Sequence, residues 1–241
     1  MLFEVCCDTV ESARVAARCG AGRVEICSGL KLGGLTPSRG IVQCVVQMMK
    51  RDFESRTRVM VLIRPRPGDF TYSSDELESM LTDIEDAARA GADGVVIGAL
   101  TRKGDVDSDA LGRLVAKCGA FPGLDVTFHR AFDLCRDLAA SLERISAAGI
   151  KRVLTSGGKD SVDEGRESLA KLVEHSRQKG LGVAIMAGGG VTCGNAAAIA
   201  RETGCQELHG SLKRIQRTSV GEWLVADEEQ VLKMKTIVDP L

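Results

Sequence analysis

Short apolar runs alternate with longer stretches in which apolar positions recur every three to four residues, from one end of the chain to the other. The runs Leu2–Cys6, Arg23–Cys27, Arg58–Ile63, Gly94–Ile97, Leu124–Phe128, Arg152–Thr155, Gly182–Met186 and Glu207–His209 predict strands. The periodic stretches near Ser12–Cys19, Arg39–Lys50, Asp75–Ala90, Ser108–Lys117, Asp137–Ala147, Glu167–Lys179 and Asn195–Glu202 predict the helices between them. A last helix is expected near Asp227–Ile237, within about residues 225–238. Eight β/α units in 241 residues match one (β/α)8 TIM barrel, an α/β fold, as a single domain over residues 1–241. A doubly wound open sheet would carry an early G-x-G-x-x-G after its first strand, and this chain has none.

Composition refines that picture through glycine, which supplies 27 of the 241 residues. That is about 11%, against a usual share of about 7%. Gly20, Gly91, Gly149, Gly180 and Gly204 each follow a helical stretch, where a left-handed cap suits glycine. Ser74, Ser108 and Asn195 stand at the expected helix starts.

Charge excludes some partners. The 32 basic and 33 acidic residues nearly cancel, and only eight residues are aromatic, six Phe with one Tyr and one Trp. Without a basic excess or stacking aromatics, nucleic acid is not an expected partner. No apolar run approaches the roughly 20 residues of a membrane span. Glu4 stands where a signal peptide would carry a basic residue, so a cytoplasmic protein is expected. Nine scattered cysteines without a C-x-x-C pair suit reduced thiols, most of them packed as small apolar residues.

Candidate chemistry gathers where the predicted strands end, the catalytic end of a barrel. Strand alternation puts Glu4 with Cys6, and Glu25 with Cys27, on the face toward the barrel interior. Cys6 and Cys27 then lie on adjacent strands, either as packing thiols or as a pair able to hold a soft metal such as Cu(I). Glu25, His129, Asp133 and His209 are candidates for proton transfer. Arg64 suits either a carboxylate or phosphate clamp or a neutraliser of Glu4 and Glu25. Ser156, Gly157 and Gly158, with Gly188, Gly189 and Gly190, could present amides to an anion, or simply make tight turns.

The phrases Glu4-Val5-Cys6, Arg23-Val24-Glu25-Ile26-Cys27, Gly33-Gly34-Leu35-Thr36-Pro37-Ser38 and Ile63-Arg64-Pro65-Arg66-Pro67-Gly68-Asp69-Phe70 resemble the CutC family. So do Thr127-Phe128-His129-Arg130-Ala131-Phe132-Asp133, Arg152 to Gly158, Ala187 to Val191 and Leu208-His209-Gly210-Ser211, in the same order along the chain. The resemblance implies a TIM barrel, a cytoplasmic homo-oligomer (dimer or tetramer) and a role in copper homeostasis. It also implies Cu(I) as cofactor, bound through Cys6 and Cys27. Cys7 departs from the pattern. The residues at the strand ends equally suit an enzyme using acid/base chemistry on a small phosphorylated or carboxylated metabolite, so the partner is either a copper ion or such an anion.

Overall fold

The computed structural model describes residues 1–54 and 56–241. Eight parallel strands close into a barrel in sequence order. They are β1 (Leu2–Cys7), β2 (Arg23–Ile26), β3 (Arg58–Leu62), β4 (Gly94–Ile97), β5 (Asp125–Phe128), β6 (Arg152–Thr155), β7 (Ala184–Gly188) and β8 (Glu207–Gly210). The helices between them are α1 (Val10–Arg18), α2 (Arg39–Phe53), α3 (Ser74–Ala90), α4 (Ser108–Gly119), α5 (Leu138–Ala147), α6 (Arg166–Gln178) and α7 (Ala196–Thr203). After β8 the chain makes an antiparallel hairpin, β9 (Lys213–Thr218) with β10 (Gly221–Ala226), before α8 (Glu228–Val238). No helix among the described residues is long and apolar enough to cross a membrane.

Strand alternation divides the interior into two zones. Phe3, Val5 and Cys7 of β1 and Val24 and Ile26 of β2 join the large apolar core. Cys6, Cys27, Met60, Leu62 and Val96 form a separate small cluster inside the barrel. Cys7 is therefore on the face of β1 opposite Cys6, with its thiol directed to the Val5 carbonyl at 3.5 Å. It is a packing residue.

The helix ends follow local chemistry, one residue earlier than the sequence suggests for two of them. Ser73, rather than Ser74, caps α3 and makes a reciprocal capping box with Glu76. Asp107, rather than Ser108, caps α4 by accepting from the Ala110 amide. The seventh strand starts at Ala184, two residues beyond the expected Gly182, because Gly182 takes φ 64° in the turn out of α6. The hairpin β9–β10 corrects the simple eightfold pattern. Its strands are exposed over most of their length, so they lack the buried apolar alternation that marks the barrel strands.

Candidate functional site

Barrel register builds the site. Glu4 pairs with Arg23 on one side and with His209 on the other, while Cys6 pairs with Glu25. All five positions belong to β1 and its two neighbours, and their side chains meet inside the barrel.

At the base, a chain of charges crosses the interior. Arg152 donates to Asp125 at 2.9 Å and to Glu207 at 2.6 Å. Arg23 donates to Glu207 at 2.5 Å and, through Nε, to Glu4. Glu4 in turn pairs with His209 Nδ1 at 2.7 Å, and His209 Nε2 lies 3.7 Å from Glu25. Each buried charge has an opposite partner, which is the condition for tolerating it away from water. Of the two roles the sequence allows Arg64, ligand clamp or neutraliser of Glu4 and Glu25, the second falls for Glu4 to Arg23, which pairs with it directly. The signal was available: Arg23, Glu25 and Cys27 are spaced by two on one strand and so share a face.

These contacts set the protonation states. Burial alone would raise the Glu4 carboxyl, but the Arg23 charge and the His209 hydrogen bond bring it down to about 2. Burial likewise disfavours a charged His209, yet its contacts with Cys6 and Glu4 and the charge of Glu25 hold its proton well above the usual imidazole range. The Glu25 carboxyl is raised, mainly by burial, against the pull of His209. The Cys6 thiol is pushed well up, first by its interaction with Cys27, then by burial and by Glu25.

The two sulfurs lie 3.7 Å apart. Cys6, Glu25 and His209 each offer one ligand atom, and these atoms all fall within 4.8 Å of one another. All nine cysteines are free thiols, and Cys44 is exposed and Cys193 half-buried, apart from this cluster.

The other candidates are divided between neighbouring positions. His129 is buried, and its Nδ1 accepts from the Ala131 amide at 3.1 Å, so the remaining ring proton belongs on Nε2. Burial and the nearby Arg64 charge bring its pKa down to about 3, so the ring is neutral. Arg64 donates to the Gly34 carbonyl at 3.0 Å and to that of Gly68 at 2.8 Å, and its guanidinium lies 4.7 Å from the Phe70 ring centre. It ties the loop after β2 to the loop after β3.

Asp133 uses its carboxylate to fasten the loop after β6. It accepts from Thr155 Oγ1 at 2.5 Å, from the Ser156 amide at 3.0 Å and from the Gly158 amide at 2.9 Å. The Gly157 amide donates to Thr155 Oγ1 at 2.8 Å. The chain's own carboxylate thus occupies the place that the sequence offered to a ligand anion at Ser156–Gly158. At the end of β7, Gly188 makes room for packing: a Cβ there would lie 2.4 Å from Leu154 Cδ1 and 3.1 Å from His209 Cβ. Gly189 and Gly190 leave the strand with φ of 102° and 90°. Gly189 carries the Arg130 guanidinium on its bare face, where a Cβ would stand 2.9 Å from Cζ.

Comparison with known proteins adds an independent line. The family model described as the CutC family matches residues 1–214. A family protein CutC of Pasteurella multocida is 45% identical over 213 residues, covering 88% of this chain and 82% of that protein. A human protein named copper homeostasis protein cutC homolog is 45% identical over 212 residues, covering 88% of this chain and 73% of its own length. The crystal structure of a CutC protein from Streptococcus agalactiae superposes with a TM-score of 0.79 at 32% identity, covering 88% of this chain and 98% of that one.

Proposed function

Since the chain belongs to the CutC family, a family whose named members include copper homeostasis proteins, we propose that it handles Cu(I) in the cytoplasm and holds the ion at the barrel mouth through Cys6 and Cys27. The observation that carries this reading is the sulfur pair itself, 3.7 Å apart and inside the barrel. Two metal–sulfur bonds of about 2.3 Å each can span that separation. Thiolates are the preferred ligands of a soft ion, and a reducing compartment keeps them available.

The surrounding charges shape the same site. Glu4 and Glu25 hold the His209 proton, so the ring positions the mouth from between two carboxylates. Cys6 is protonated at neutral pH, so ion binding must release its proton, and affinity rises with pH. The test is an anaerobic Cu(I) titration against a competing chelator. A Cys44→Ser, Cys193→Ser background removes the thiols that are not buried. A single equivalent is expected to bind, and to be lost on adding Cys6→Ala with Cys27→Ala. Unchanged stoichiometry and affinity in that variant would sink the reading.

A further inference from the structure

A cavity of about 550 Å³ opens between the loops that leave β7 and β8. Its wall contains Arg130, Lys213 and Ser211, the bare backbone of Gly189 and Gly190, and no carboxylate. On a chain whose acidic residues slightly outnumber its basic ones, that is a strongly biased surface. Arg130 is fixed in place: Nε donates to Asp133 at 2.8 Å and Nη2 to Ser156 Oγ at 2.8 Å. Its Nη1 donates to no acceptor among the described residues. Lys213, at the start of β9, is brought to the cavity by the hairpin that follows the barrel.

We propose that this cavity is a binding site for the phosphate group of a small phosphorylated metabolite. Two cations and a hydroxyl, beside glycine backbone, suit an oxygen-rich dianion. A planar carboxylate would use fewer of these donors. The place in the fold agrees, because barrel loops after the seventh and eighth strands commonly hold phosphate. A second cavity of about 170 Å³ shares Cys6, Leu30, Arg130 and His209 with the first, and runs inward past Glu25 to Leu62 and Phe70. A phosphate gripped at the loops therefore leaves the rest of a small molecule beside Glu25 and His209. This site uses donors separate from the sulfur pair and does not depend on copper binding.

Calorimetric titration of the metal-free, reduced protein with glycerol 3-phosphate, inorganic phosphate and succinate tests the assignment. Glycerol 3-phosphate is expected to bind saturably and more tightly than the other two. Lys213→Gln combined with Ser211→Ala should weaken it by about tenfold or more, as expected for lost charged and polar hydrogen bonds, while the thermal midpoint is retained. Three outcomes overturn the proposal: no saturation by about 10 mM, undiminished affinity in the double variant, or inorganic phosphate or succinate binding as tightly as the ester.

Discussion

Arg23 has no exposed side-chain surface, yet it carries a full charge into the centre of the barrel. Its position explains why the charges around it tolerate burial: it faces Glu4 and Glu207 together. Arg23→Met would leave two carboxylates without their shared partner. Breaking a buried pair this way costs about 3–5 kcal/mol, measured as a loss of unfolding free energy in urea. The exposed pair Arg217–Glu222 is the contrasting case. Arg217→Ala should change stability by less than about 1 kcal/mol. Equal losses at the two positions would refute this account of the interior.

Histidine 129 makes a prediction of the opposite kind, because its folded state resists protonation. Its pKa falls from an ordinary 6.5 to about 3. The unfolded chain therefore takes up the proton first, and stability contributed by neutral His129 is lost as pH drops from about 6.5 toward 3. His129→Asn keeps an acceptor for the Ala131 amide but cannot titrate. Between pH 6.5 and pH 5 the original protein should lose about 1–2 kcal/mol more than this variant. Urea denaturation at the two pH values checks the difference. His209 holds its proton in the folded chain throughout this interval, and because both proteins contain it, its smaller contribution of opposite sign cancels in the comparison.

Among the elements, the short 3-10 turn Arg130–Leu134 fixes the loop after β6. Asp133 is its attachment point, accepting from a hydroxyl and two amides of that loop. Asp133→Asn replaces one acceptor oxygen with a donor that faces other donors. A destabilisation of about 2–3 kcal/mol is expected, read by thermal or urea unfolding. Since Arg130 is oriented by the same carboxylate, the variant should also weaken any ligand held at the loops after β7 and β8. The sequence showed Asp133 as a polar residue at a strand end, which fits a proton carrier and a loop fastener equally well. Only the position of β6 beside β5 separates the two, and that is a contact across more than twenty residues.

For the molecule as a whole, the barrel was legible because its marks are local. Apolar strand runs, helical periodicity and the glycine after α1, α3, α5, α6 and α7 each need only a few neighbouring residues. The sulfur pair was legible for a similar reason, since alternation on two adjacent strands places both thiols inside. The charge chain was harder to read. Arg23 and Arg152 open their strands, where a charge looks like an approach to solvent, and Glu207 meets Arg23 only when the last strand closes the barrel. The hairpin escaped notice because its exposed strands carry little of the apolar pattern by which strands are recognised.

That closure has a consequence in time as well as space. His209 and Glu4 are 205 positions apart in sequence and 2.7 Å apart in the folded protein. The first strand emerges during synthesis with a carboxylate that has no histidine to meet until β8 follows. A partial barrel ending at β7 would therefore be left with an open seam between its outer strands and only part of the site. Binding at the loops after β7 and β8, unlike binding at the sulfur pair of β1 and β2, would thus be a late reporter of assembly: it would register the joining of the two ends of the ring.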